Sequence, residues 1–198
     1  MTLPAASAET TVPEIALDIP PDFHEVPLES AVEDRVAAQN ALLEGMGLRD
    51  TEQREGLGLY LEAIARTLAG SPIVGTAFCA VAVDGRPSTA TLTVATQATS
   101  SSDRLVVLAG TAEALRRTGS YAHVSIESAG SHRAVFASGA VGTDGLDLHQ
   151  TTAVVPVPSH PLAVLVTIAT PSRDDVATYE RVVRSIAGSL RVVTSSAE

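Results

Sequence analysis

The stretch TAFCAVAVDGRPSTATLTVAT, residues 76 to 96, constrains the fold more than any other part of the chain. Two runs of β-branched and small apolar residues meet at Asp84-Gly85, the pair that a type I′ turn needs because both central positions take positive φ. In the second run Thr89, Thr91 and Thr93 alternate with Ala90, Leu92 and Val94. That period of two puts hydroxyls on one face of a strand and hydrocarbon on the other, polar out and apolar in. A chain containing this hairpin must build an antiparallel sheet around it.

The flanking segments supply the rest. Residues 1 to 13 are small, polar and punctuated by proline, and read as a loose tail. Residues 14 to 192 read as one α/β domain, which a chain of 198 residues can fill with a single core, and 193 to 198 as a C-terminal tail. Ile15, Leu17 and Ile19 alternate with Ala16 and Asp18, a short strand stopped by Pro20-Pro21. Ser30 and Glu33 have capping-box spacing. The helix they open runs to about Met46, with Val32, Val36, Leu43 and Met46 on its apolar face. Asp50 opens a second helix whose Leu57, Tyr60, Leu61, Ile64 and Leu68 form one stripe, ended by Gly70 and Pro72.

Residues 104 to 118 carry two signals. Leu105, Leu108, Ala112 and Leu115 suit a helix, whereas Leu105-Val106-Val107-Leu108 alone suits a strand; the expectation is a helix from about Ser102. A second hairpin turns at Ser128 to Ser131. A third strand pair breaks at Pro158-Ser159-His160-Pro161. The closing helix starts at Ser172 to Asp175, buries Val176, Tyr179, Val183, Ile186 and Leu190, and carries Arg181, Arg184 and Arg191 toward the end that attracts positive charge. With three Phe, three Tyr and no Trp, the core must be Val, Leu, Ile and Ala. The order predicts an α+β fold: a mostly antiparallel β-sheet with helices packed on its faces.

The short strand ending in Ile19-Pro20-Pro21-Asp22-Phe23, the strand pairs and the closing ATYERVVRSIAGSLRV helix together resemble the PsbP-like α/β/α sandwich. Actinobacterial LpqN-like lipoproteins are similar to that fold. The opening DFHEVPLES also resembles uncharacterised cytoplasmic proteins encoded near type VII secretion loci. The resemblance implies binding and assembly roles and carries over no catalytic residue. The chain departs from the lipoproteins in having neither a signal peptide nor a lipobox cysteine.

Several activities are excluded or disfavoured. The chain holds no Lys, so it has no Walker A site, and neither phosphate-cradling glycine pattern occurs. A net charge of −10 repels nucleic-acid backbones and anionic membranes. Cys79 is the only cysteine and sits in an apolar setting, so it reads as a small buried hydrophobe. No signal peptide and no run of membrane-spanning length is present, which predicts a cytoplasmic protein. His24, His123, His132, His149 and His160 lack zinc-helix spacing, although His123 and His132 flank a hairpin turn and could approach each other. Asp144-Gly145-Leu146-Asp147 lacks a calcium-loop ligand series and reads as a turn. No Ser sits in a nucleophile elbow, and Ser131 beside His132 is adjacency alone. No catalytic, cofactor or metal site is expected.

What remains is LDIPPDFHEVPLES, residues 17 to 30. Residues 1 to 34 hold eight carboxylates and no Arg, against fifteen acids and thirteen Arg in the remainder. Prolines and carboxylates on an edge strand prevent edge-to-edge pairing. The surplus charge also makes a docking strip for a basic protein partner, with Asp18, Asp22, Phe23, Glu25 and Glu29 as its residues. The expected function is therefore a non-enzymatic adaptor or assembly factor. Two alternatives stay open: a ligand-binding protein or enzyme with a site between sheet and helices, using His123, His132, His149 and Thr151, and a self-assembling structural subunit.

Overall fold

A computed structural model describes residues 13–28, 31–48, 50–68, 73–143 and 146–193. Its centre is a seven-stranded sheet in the order β2-β3-β4-β8-β7-β6-β5, antiparallel at every step. The strands are β2 (His24–Glu25), β3 (Ile73–Val83), β4 (Arg86–Ala98), β5 (His123–Ala129), β6 (His132–Thr143), β7 (Leu146–Pro156) and β8 (Leu162–Thr170). The hairpin at the centre of the sequence turns where the residues demand: Asp84 has φ 49° and Gly85 has φ 76°. Eight register pairs from Thr91↔Ala169 to Ala98↔Leu162 then join this hairpin to the β5-to-β8 meander. Asp144-Gly145 lies outside the described residues, but Thr143↔Leu146 closes the ladder beside it.

Helices α1 (Val32–Gly45), α2 (Thr51–Leu68) and α3 (Arg104–Thr118) cover one face, and α4 (Val176–Gly188) covers the other. The α2 stripe behaves as its spacing requires, with Leu61 fully buried among Val26, Leu43 and Phe78 and with Leu57, Tyr60 and Ile64 around them. Asp50 accepts from the Gln53 N–H at 3.0 Å and opens that helix. Residues 104 to 118 are helical: Asp103 accepts from the Leu105 N–H at 2.8 Å, and Gly119 ends the helix at φ 68°. Leu105 points to solvent, and Val107, Leu108 and Ala112 face the sheet instead. The α4 side of the sheet holds the largest core cluster, Val and Ala for the most part, closed by Tyr179, Val183, Ile186 and Leu190. Burying each such aliphatic side chain contributes about 1.5–3 kcal/mol.

Three local expectations are corrected. The apolar face of α1 is half as expected: Leu43 is buried and Met46 packs beside it, but Val32 is 55% and Val36 42% exposed, while Gln39 is 3% exposed and packs inward. Its N-cap is Ala31 with no side-chain hydrogen bond, and Ser30 lies outside the described residues, as do Gly70 and Pro72. The Thr face of β4 is not solvent-facing, because α2 covers it; Thr91 is buried with its hydroxyl 3.1 Å from Tyr60 Oη. Arg184 does not serve the C-terminus of α4, since it turns to the sheet, pairs with Glu127 and stacks 4.2 Å over the Phe136 ring.

A further strand escaped the sequence reading. Arg191–Val193 (β9) pairs antiparallel with Glu14–Ala16 (β1), making a separate two-stranded sheet. Ser172 donates to the Asp175 carboxylate at 2.5 Å within a 3-10 turn, Arg173–Asp175, that leads into α4.

Two glycines set how closely the layers approach. A Cβ on Gly188 would lie 3.1 Å from Gly130 N, and one on Gly139 would lie 2.5 Å from Ser120 O. Gly110, in α3, has open space around it. Gly139→Ala is expected to destabilise by about 1–3 kcal/mol through overpacking. Gly110→Ala is expected to stabilise by up to about 1 kcal/mol through helix propensity. Denaturant unfolding of the two variants should move the midpoint in opposite directions.

Candidate functional site

On the α4 face the sheet is wider than the helix. Beyond α4, the N-terminal segment crosses in front of β3, β4 and β8 without touching down fully, leaving a cleft of about 610 Å³. Its floor is Gly75, Ala77, Leu92, Val94, Thr96 and Val164, all on one face by register. Ile15, Leu17, Ile19 and Phe23 form its outer wall, and Pro20 and Pro21 shape the exit. Of the strand expected over residues 15 to 19 only Glu14–Ala16 pairs; Ile15 and Leu17 pack against the sheet core, while Ile19 lines the cleft and is 44% exposed. The β3–β4 register shifts between Ile73 and Gly75, where Val74 and Gly75 line the cleft.

The wall is tied down at one point. Asp18 receives an ion pair from Arg191, with a second contact at 3.1 Å, and its backbone N–H donates to Ser189 Oγ at 2.8 Å. The hydrogen bond from Arg191, ahead of its charge, holds the Asp18 carboxyl below its ordinary range, and Asp18 correspondingly raises Arg191. The acidic strip is therefore divided. Asp18 is committed within the fold, Phe23 packs against the core and lines the cleft, and Glu25 lies at the cleft rim. Asp22 is exposed in a turn, and neither Asp22 nor Glu25 has an ion-pair partner among the described residues. Glu29 lies outside the described residues.

A second cavity, about 390 Å³, opens farther along the same face between α4 and β5–β7. It brings together His123 and Thr151, with Ser138 between them in the register, and adds Ser125, Glu127, Glu180 and Arg184. The hydrogen bond from Arg184, then that from Ser125, lowers the Glu127 carboxyl. His132 and His149 are not part of it. His132 sits at the hairpin tip opposite Ala129, its Nε2 2.8 Å from Leu190 O, while His123 pairs with Ser138 at the far end. The two histidines do not meet. No group of three or more metal-ligating side chains occurs among the described residues.

Cys79 is fully buried, its Sγ 3.7 Å from Tyr179 Oη, and burial pushes its thiol up, as a small core residue requires. Among the described residues no helix is long and apolar enough to cross a membrane.

No family model matches the chain, and no curated protein matches it. Among solved structures it is similar to LpqN of Mycobacterium tuberculosis, described as involved in cell envelope biogenesis, at 13% identity and a TM-score of 0.47. That match covers 95% of this chain and 88% of LpqN. A Bacteroides thetaiotaomicron protein matches at 8% identity and a TM-score of 0.40, over 61% of this chain and 43% of that one. These likenesses concern backbone arrangement alone.

The Asp18–Arg191 tie yields a pH prediction. A depressed carboxyl contributes stability that is present above its unfolded pKa, about 3.9, and is lost as pH falls through the lower folded value. Carbon NMR of the Asp18 carboxyl should show a midpoint below the ordinary one. In Arg191→Gln the midpoint should return to it, and amide protection in Glu14–Ala16 should fall. An unchanged midpoint would remove the tie from the account of the cleft.

Proposed function

We propose that the protein is a non-catalytic interaction protein that takes apolar side chains of a basic protein partner into the cleft behind its N-terminal segment. The observation that carries this reading is the make-up of the cleft, an apolar floor and wall with two carboxylates, Asp22 and Glu25, at and beside its mouth that have no ion-pair partner among the described residues. A concave apolar surface of this size anchors a side chain, and rim charges steer the encounter and fix register. Among the cleft's lining residues there is no hydroxyl or thiol beside a histidine, which favours binding over chemistry. The volume also suits a small apolar ligand, which is the second reading. Location in the cytoplasm and association with a secretion system belong to the proposal, and the partner's identity bears on both.

Three baits test it in lysate of the source organism: the wild-type chain, the pair Asp22→Asn with Glu25→Gln, and Thr96→Trp, which fills the cleft from its floor. A partner captured by the wild type should fall to about a tenth or less with either variant, a loss of roughly 1.4 kcal/mol or more. A partner retained equally by both variants would sink the proposal. Capture of nothing by any bait would displace it in favour of the small-ligand reading, which a neutral apolar dye competing for the cleft would then report.

A further inference from the structure

The second cavity carries an inference independent of the cleft. Five threonines are buried among the described residues: Thr76, Thr91, Thr151, Thr152 and Thr170. Four have committed hydroxyls. Thr76 donates to Leu92 O at 2.9 Å, Thr170 donates to Thr89 O at 2.8 Å, Thr91 pairs with Tyr60, and Thr152 with Thr167 at 3.0 Å. Thr151 is 5% exposed and has no side-chain hydrogen bond to a described residue, yet its oxygen is not sealed off; it opens on the cavity. Thr151 is thus the one buried threonine among the described residues whose hydroxyl is left available to whatever occupies the cavity.

The neighbours of Thr151 define what that is. Register places His123, Ser138 and Thr151 side by side across β5, β6 and β7, at the roughly 4.5–5.5 Å spacing of directly opposed residues. None of the three side chains hydrogen-bonds another described residue. All three can accept a hydrogen bond. From α4 come Glu180, without an ion pair among the described residues, and Arg184, whose charge is matched by Glu127. The charged groups facing the cavity are thus two carboxylates and one guanidinium. The surplus is one negative charge, on a chain whose net charge is −10. Anions are repelled, and metal-ligand geometry is absent among the described residues.

We propose that this cavity binds the protonated amino group of a small organic amine. The ammonium N–H groups donate to the Thr151 and Ser138 hydroxyls and to His123, and the Glu180 carboxylate balances the charge. A cavity of about 390 Å³ lies at the small end of ligand sites, so the amine is a compact metabolite.

Calorimetry and amide-shift NMR with butylammonium, 1-butanol and butyrate test this on the full chain. Butylammonium should bind saturably at one site, moving amides of His123, Ser138 and Thr151, with 1-butanol and butyrate at least about tenfold weaker. Thr151→Val, an isosteric loss of the hydroxyl, should weaken butylammonium about fivefold, whereas Thr151→Ser should retain binding. Glu180→Gln should weaken it about tenfold with Tm unchanged, a readout that holds even if Thr151→Val folds poorly. Absence of saturable butylammonium binding would overturn the proposal. So would equal binding of 1-butanol, shifts confined to the cleft, or full affinity in Glu180→Gln.

Discussion

The β4–β8 ladder is the constraint on which the rest depends. Every other pairing within β3–β8 closes a local hairpin, but this one brings Thr91–Ala98 against Leu162–Ala169 across more than sixty residues of chain. Until it forms, the central hairpin is a two-stranded ribbon that is marginal alone, while the four-stranded meander carries α3 and α4 but lacks most of the cleft floor. Once formed, it aligns Leu92 and Val94 with Val164, Val166 and Ile168 on one face. That surface is wider than α4 can cover. The uncovered remainder is the floor of the cleft, so the cleft is a consequence of sheet width against helix number.

The two cavities share this face and are separated by α4. One is apolar and walled by a strand segment; the other is polar and roofed by the helix itself. Their difference follows from composition along the strands. Toward β3 and β4 the inward residues are Ala, Leu and Val, while toward β5 and β6 they become His, Ser, Glu and Ser. Arg184 stands near the transition, neutralised by Glu127 and laid over Phe136. A guanidinium over an aromatic face is attracted by the ring quadrupole, which helps to fix the helix rotation.

Much of this architecture was legible because period and turn chemistry agreed. Asp84-Gly85, the α2 stripe and the Tyr179–Val183–Ile186 stripe each left one reading, and each forms as read. What failed was the assumption that hydrocarbon points inward on every helix. α1 turns Gln39 to the core and Val32 and Val36 outward, because Leu43 and its link to α2 set its rotation through the Arg35–Glu62 pair at 2.8 Å. The β1–β9 sheet was legible in its first strand alone: the alternation at Ile15, Leu17 and Ile19 marked β1, but Arg191–Val193 carries no measurable period, and pairing across the whole chain leaves no local mark. The same limit hid the cleft. Asp18 looked like one of several surplus carboxylates, and nothing in its neighbours announced Arg191. His123 and Thr151, by contrast, could be nominated from sequence, but only register supplied Ser138 between them.

The β1–β9 pair has a topological consequence. Glu14 lies opposite Val193, so the two ends of the described region lie side by side, beside the cleft wall. A few linking residues could close the domain into a ring, and new ends could be opened at the exposed Asp84-Gly85 turn without crossing the core. In such a rearranged chain the cleft wall would become an internal loop, anchored covalently at both ends. Whatever is joined before Glu14 or after Val193 starts, by the same geometry, from one place at the end of the cleft wall.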